Sequence, residues 1–477
     1  MSRAAALLAL CLILAAASAS AEMVAGLPLH VHKYDSGAIR VWIGDHVSST
    51  AVMAFPTSDG LVIIDTTGNP KVDAELRKVI ARELGRDDFK VLINTHQHED
   101  HTGGNAVYKD CTIVGHELVA AGMNRDPEQL QRMVDWLTTR VAEQESELAA
   151  MAADAPQRAA LEENLTLNRM VLEAAQANNP LVVPTQTFKD RKVLKMGDTT
   201  FEMYYIGGMH SDSDIAILVP EHGLLMTGDT MADVWLTDTP GCLASFIARP
   251  GVQHDFPLLL KNWNTLLARK DEIRTLIPGH WNGELTFDGF ENRVKYVEAL
   301  WEGAHQAALD HASLAEYLTS YTLADRFPEL VDSPGCSQGN NTTTMTEMWA
   351  AVTGQEAAAP ALFALLEEGA DESAIRNIVA QHKADKPTHY FQESQINTYG
   401  YHFLQTDRPA QAVTMFRINV ELFPDSWNVY DSLGEALYAM GDNMEAIAMY
   451  EKSLELNPES PTGAEMLAQI KAKETVN

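Results

Sequence analysis

The chain has 477 residues, 46% of them apolar, so it can bury more than one hydrophobic core and is longer than one ordinary domain. Its formal net charge of −31 argues against a nucleic-acid partner, which needs clustered Lys and Arg, and repels anionic membrane surfaces. Beyond the N-terminal segment only Cys111, Cys242 and Cys336 remain, an odd number without CxxC spacing, which excludes a disulfide framework.

In chain order, residues 1–21 read as an export signal. Arg3 is a minimal positive start, Ala4 to Ala17 is apolar and uncharged, and Ala19-Ser20-Ala21 offers a small-residue cleavage site before Glu22. The run is too short to span a bilayer comfortably, and Cys11 follows Leu10 rather than a small residue, so no stable membrane anchor is expected. The mature protein is expected in a periplasm or the medium.

Short β-rich runs follow, at Ala38–Ile43, Ala51–Phe55 and Leu61–Asp65, then a helical spacing over Val72–Leu84 and strands at Lys90–Asn94 and Thr112–Gly115. This rhythm predicts sheets with intervening helices, an α/β or layered domain. Residues 117–180 interrupt it. Asp126-Pro127 reads as a helix cap and first residue, and Leu130, Met133, Val134, Leu137 and Val141 recur at helical spacing. A second helix to about Ala177 completes a helical hairpin, expected as a stabilising excursion, a lid or a dimer contact. Strands resume at Lys192–Leu194, Thr200–Tyr205, Ile215–Val219, Leu224–Thr227 and Thr275–Ile277. From Phe287 the chain reads helical, with loops at Pro334–Ser337 and Asn340–Thr342.

Chemistry concentrates in His96-Gln97-His98-Glu99-Asp100-His101, just past the apolar run Val91-Leu92-Ile93. Alternation on an extended segment points His96 and His98 the same way, and the turn after them can swing Asp100 and His101 towards a second point. Imidazole nitrogens and carboxylate oxygens suit zinc, with iron or manganese as runners-up. His210, Asp229 and His280 each lie just past a strand end, where loops carry side chains over a rigid sheet. His116 and Glu99 read as bystanders, His116 as a pocket-wall or surface residue. The last ninety or so residues repeat with period 34: Gly400, Phe403, Ala412, Phe416 and Pro424 recur as Gly434, Leu437, Ala446, Tyr450 and Pro458.

The cluster and the Gly103-Gly104 that follows it resemble the signature of the metallo-β-lactamase superfamily, over roughly residues 30–285. Other landmarks stand in order: Ile64-Asp65-Thr66, Gly207-Gly208 before His210, Gly228-Asp229-Thr230 and Pro278-Gly279-His280. The resemblance implies an αββα sandwich with two Zn2+ ions. One would be held by His96, His98 and His210, the second by Asp100, His101 and His280, with Asp229 bridging both. Asp65 would orient a ligand by hydrogen bonding, and Asp100 would serve a hydroxide shared by the metals. The implied activity is hydrolysis of an ester, lactone, thioester or amide-type bond in a small-molecule substrate. An acidic residue at 229 is similar to the glyoxalase II and lactonase branches. The run Ser211-Asp212-Ser213-Asp214 departs from the Thr-Pro-Gly found there in many of them. β-Lactamase and alkylsulfatase activity are the alternatives, although alkylsulfatases carry glutamates where His210 and Asp229 stand. A different alternative is a partner-binding protein with a non-catalytic metal scaffold.

The C-terminal period resembles tetratricopeptide repeats, which implies a protein partner or self-association. The expected organisation is a signal over 1–21, a catalytic domain over 22–290 with the insertion 117–180, a helical linking region over 291–390, and two repeats plus a capping helix over 391–477. The fold class is thus an α/β sandwich followed by an all-α region. The pocket walls are expected from 117–180 and from loops around Trp235 and Trp281.

Overall fold

The computed structural model describes residues 22–45, 50–124, 127–178, 181–231, 248, 252–280, 286–320, 338–382 and 387–476. The export signal, Asp126, Trp235, Trp281, Cys242, Cys336 and the 334–337 loop lie outside the described residues. Two compact units divide the chain: Met1–Ala299 with Leu323–Thr344, and Leu300–Thr322 with Met345–Asn477.

The first unit is built on two sheets. One runs in the order β1 (Met23–Val24), β2 (Leu27–Lys33), β3 (Ile39–Ile43), β4 (Val52–Thr57), β5 (Gly60–Ile64), β6 (Phe89–Ile93), β7 (Thr112–His116) and β8 (Gln186–Phe188). The other runs β13 (Thr275–Pro278), β12 (Leu224–Gly228), β11 (Ile215–Val219), β10 (Thr199–Tyr205) and β9 (Arg191–Met196). Pairing is antiparallel from β1 to β5 and parallel from β5 to β8; β12 and β13 are also parallel.

Strand alternation gives the first sheet two apolar faces. Met53, Phe55, Val62, Ile64, Val91 and Ile93 point to the second sheet and pack with Phe201, Met203, Ile215, Ile217, Met226 and Ile277. Val52, Ala54, Leu61, Ile63 and Leu92 point the other way, against Val72, Leu76, Val79 and Ile80 of helix α1 (Pro70–Leu84). That helix starts where the sequence allows. The Asn69 side chain accepts the Lys71 N–H, Pro70 occupies the first turn, and Gly85 closes it with φ 66°. The remaining helices of this unit include α2 (Glu99–Thr102), α3 (Val119–Met123), α4 (Pro127–Ala150), α5 (Arg158–Ala177) and α6 (Phe256–Leu267). Helices α4 and α5 form the expected hairpin, joined by Val141, Leu148 and Leu165 and by the Asn168–Gln144 amide hydrogen bond of 2.9 Å. Helix α6 buries Phe256, Leu259, Trp263 and Leu266, and Asn262 ties it to the Tyr205 carbonyl of β10. The result is an αββα sandwich.

The second unit is helical, and its core joins Ala359, Leu362 and Ile375 with Phe403, Phe416, Leu437 and Tyr450. The repeat forms helices Glu393–Gln405, Pro409–Leu422, Trp427–Met440 and Asn443–Leu456, followed by Pro461–Val476. One expectation fails: Asn340–Thr342 lie inside the helix Gln338–Thr353 rather than in a loop. Asn and Thr are only weakly averse to helix, and burial of Thr344, Thr346, Met345 and Met348 within the same segment outweighs that preference. No helix among the described residues is long and apolar enough to cross a membrane.

The repeated glycines occupy helix crossings. A Cβ on Gly400 would lie 2.3 Å from the Phe416 ring, and one on Gly434 would lie 3.1 Å from the Tyr450 ring. Gly400→Ala should therefore destabilise the helical unit by about 1–3 kcal/mol through overpacking. Gly434→Ala should stay within about 1 kcal/mol of neutral, because relief of glycine's helix penalty offsets a milder clash. Calorimetric unfolding of the two variants checks the ranking; equal effects would refute it.

Candidate metal centre

Every member of the expected ligand set except Asp100 and His101 sits within a few residues of the C-terminal end of a strand. His96 and His98 follow β6, His210 follows β10, Asp229 follows β12 and His280 follows β13. Asp100 and His101 are carried by the short helix α2, which starts immediately after His98. The parallel pairs β5–β6 and β12–β13 put these ends on one rim of the sandwich.

The seven side chains converge into two groups whose ligand atoms lie within 4.8 Å of one another. In the first, His98 Nδ1 lies 3.0 Å from His96 Nε2 and 2.9 Å from His210 Nε2. In the second, His280 Nε2 lies 3.0 Å from Asp100 Oδ2 and 3.1 Å from His101 Nε2. Asp229 Oδ2 reaches both groups: it is 3.8 Å from His96 Nε2, 3.3 Å from His210 Nε2, 3.3 Å from His101 Nε2 and 3.2 Å from His280 Nε2. Asp65, which is buried, is outside both groups. Its carboxylate accepts the Thr95 N–H and hydroxyl, each at 2.7 Å, and the His101 Nδ1–H at 3.0 Å.

These contacts fix tautomers. With the Thr95 hydroxyl donated to Asp65, His96 Nδ1 donates to Thr95 Oγ1 at 3.1 Å, leaving its Nε2 a bare lone pair. His101 is held the same way by Asp65. The Nε2 atoms of His96 and His101 thus face ring nitrogens of His98 and His280 across about 3 Å, an arrangement that a bound cation would satisfy. Two ligands of a tetrahedral zinc at about 2.0–2.1 Å would stand about 3.3–3.4 Å apart, close to the spacings found. Asp229 Oδ1 is also buried with no hydrogen-bond partner among the described residues. The donor set therefore fits divalent metal.

The electrostatics are strongly coupled. Burial opposes charge on Asp229, yet the His280 and His101 charges outweigh it and hold the carboxyl well below its usual range. Burial likewise opposes ionisation of Asp100, and His101 and His280 together lower its pKa. For His280 burial lowers the pKa, but the Asp229 and Asp100 carboxylates outweigh burial and push it up to about 10. His96 moves the other way, lowered first by burial and then by the His101 charge. The Asp100 side chain is 44% exposed, against 13% for His210 and His280.

Sequence reasoning missed the residues that position these ligands. The Asp214 carboxylate accepts the N–H groups of Met209, His210 and Ser211 at 2.7–2.9 Å and the Ser211 hydroxyl at 2.7 Å, which shapes the turn carrying His210. Asn94 donates to the His101 carbonyl and pairs amide to amide with Asn105. Asp73, fully buried on α1, accepts the N–H and hydroxyl of Thr67, while the neighbouring Thr66 N–H bonds the His101 carbonyl. The chain crosses directly over Asp73 at Gly104, where a Cβ would lie 2.1 Å from Oδ2. The signal for Asp73 was a lone acid on the apolar face of an amphipathic helix. His116 is neither on the surface nor in the centre: it is buried, bonded to the Lys189 carbonyl at 2.7 Å and stacked on Tyr205. Glu99 belongs to neither ligand group.

A model of the metallo-beta-lactamase superfamily matches residues 43–280, and a tetratricopeptide repeat model matches residues 427–470. A metallo-beta-lactamase type 2 from Bacillus sp. (strain 170) is 22% identical over 241 residues, 50% of this chain and 68% of that protein. Among solved structures, a metallo-beta-lactamase from Pontibacter korlensis is 17% identical with TM-score 0.37, covering 57% of this chain and 99% of its own. The stereoselective inverting sec-alkylsulfatase from Pseudomonas sp. is 14% identical with TM-score 0.47, covering 89% of this chain and 66% of its own.

Asp73 gives the site's scaffold a pH dependence. Burial raises its pKa from 3.8 to about 7, against the hydrogen bonds from Thr67. Because the folded pKa lies above the unfolded one, the native state binds the extra proton, and this contribution to stability is lost as pH rises from about 4 to about 7. Asp73→Asn, which stays neutral, should gain on the parent by up to about 4 kcal/mol over that window. Urea unfolding at pH 5 and pH 8 measures it, and an equal difference at both pH values would rule the assignment out.

Proposed function

Residues 43–280 belong to the metallo-β-lactamase superfamily, and on that premise we propose that the chain is an exported two-metal hydrolase of ester, lactone, thioester or amide-type bonds. The observation that carries the reading is Asp229 Oδ2, one carboxylate oxygen 3.2–3.8 Å from imidazole nitrogens of both ligand groups. That is the position a bridging ligand must occupy. His96, His98 and His210 would hold one cation and Asp100, His101 and His280 the other, with Asp229 shared. Zinc suits these donors best, with iron or manganese as alternatives. Once bound, two such cations supply Lewis-acid polarisation of the scissile carbonyl and lower the pKa of water from about 15.7 towards about 7.

The chain's own residues supply the rest. Asp100, ionised and partly exposed, can take the proton of the attacking water and return it to the departing oxygen, sulfur or nitrogen. In the overall reaction the water oxygen bonds to the acyl carbon, the bond to the leaving group breaks, and the leaving group receives the proton. Asp65 and Thr95 hold His96 and His101 in the tautomers that leave Nε2 free. Asp214 fixes the turn of His210. The C-terminal repeats add a helical surface suited to a protein partner or to self-association.

Two measurements test the proposal. Zinc-loaded mature protein should hydrolyse at least one of a lactone, thioester, aryl ester, β-lactam, phosphodiester or alkyl sulfate panel, and His98→Ala and Asp100→Ala should each lower that rate by at least about 100-fold. A parent no faster than these variants ends the hydrolase reading. N-terminal sequencing of protein recovered from the periplasm or medium should begin at Glu22; a cytosolic chain retaining residues 1–21 would refute export.

A further inference from the structure

Resting on the hydrolase reading, we infer that the helical hairpin α4–α5 selects substrates carrying an uncharged, unbranched alkyl or acyl chain. A cavity of about 150 Å³ opens beside Asp100 and His280. Its apolar wall is Ile43, Val72, Leu167, Met170 and Val171, the last three from α5. The polar side chains in the same wall are already spent. Thr50 Oγ1 donates to the Asp100 carbonyl at 2.6 Å, and Thr67 Oγ1 donates to Asp73 at 2.6 Å. Asn69 donates to the Met170 carbonyl at 3.0 Å and accepts the Lys71 N–H at 2.9 Å. Apart from Asp100 and His280, the lining side chains therefore offer a ligand mainly hydrocarbon.

A second cavity, of about 130 Å³, adjoins the first: Gly68 and Val171 line both. It is walled mainly by Met123, Leu130, Met133, Ala174, Leu181 and Val182, so both helices of the hairpin contribute. Glu99, Thr102 and Asn178 also line it, and the Thr102 hydroxyl is donated to the His98 carbonyl. Gly68 keeps the divide narrow, since even a Cβ at that position would lie 3.5 Å from Val171 Cγ2. The reacting bond then sits at Asp100 and His280, the first carbons lie along α5, and a longer chain continues past Val171. An anionic tail would be desolvated beside the Glu99 carboxylate, and a cationic one would find only that single charged partner.

The test uses zinc-loaded full chain and p-nitrophenyl esters from acetate to dodecanoate. kcat/KM should rise roughly three- to fourfold per methylene until the cavities are filled. Val171→Trp, which fills the shared wall, should flatten the series, and Ala174→Trp should bring the plateau to a shorter chain. Should Val171→Trp not fold, Leu167→Ala enlarges the first cavity and should move the preference to bulkier acyl groups. Calorimetric binding of acetate and decanoate separates the two readings. Chain-dependent binding that Val171→Trp abolishes, without turnover of any ester or of any substrate in the hydrolysis panel, supports the cavity inference and sinks the hydrolase. Turnover with no chain preference, or with the same preference in Val171→Trp, overturns the inference and leaves the hydrolase standing. Neither turnover nor chain-dependent binding overturns both.

Discussion

Everything on the rim of the sandwich serves one electrostatic demand: five imidazoles and two carboxylates must be held with their lone pairs facing inward. Left alone, such a group would rotate apart or take up protons. The structure opposes the first by tying His96, His101 and His210 from behind. Asp65 holds His101 directly and His96 through Thr95, Asp214 collects the backbone amides around His210, and Asn94 grips the His101 carbonyl. The second is a competition between protons and metal, since a raised His280 pKa means that metal must displace a proton to bind. The sheet contributes by being stiff. Its strands are buried on both faces, so the loops they emit have fixed starting points.

Much of this was legible in the sequence because the governing patterns are local. Strand alternation, the helical spacing over Val72–Leu84 and the dense His96–His101 cluster are each local patterns, and the elements formed close to the expected bounds. The 34-residue period was legible for the same reason: a small residue facing an aromatic recurs in each helix pair. The supporting carboxylates were not legible. Asp214 resembles an ordinary turn acid and Asp73 a helix-start acid until tertiary structure shows what they accept; only the place of Asp73 on an apolar helix face hinted at burial. The helix over Asn340–Thr342 was missed because Asn and Thr runs look like loops wherever packing has not yet been taken into account.

The Gly103-Gly104 pair shows how a motif residue can act without touching the chemistry. Cβ atoms there would strike the Gly68 and Glu99 carbonyl oxygens and the Asp73 carboxylate. The two glycines let the segment after His101 lie flat on the Thr66–Asn69 turn, which is itself pinned by Asp73. Ligand placement therefore depends on residues that make no contact with the ligand groups.

The hairpin α4–α5 lies in the connection between β7 and β8, which are adjacent parallel strands. Such strands cannot be joined by a tight turn and always require a crossover. The sheet sets the two ends of that crossover and leaves its length unspecified. A wall built there can lengthen, shorten or change its side chains over generations while the strand ends beneath it keep their register. Selectivity and reactivity are thereby placed on separately heritable pieces of one domain, and the first can diversify without endangering the second.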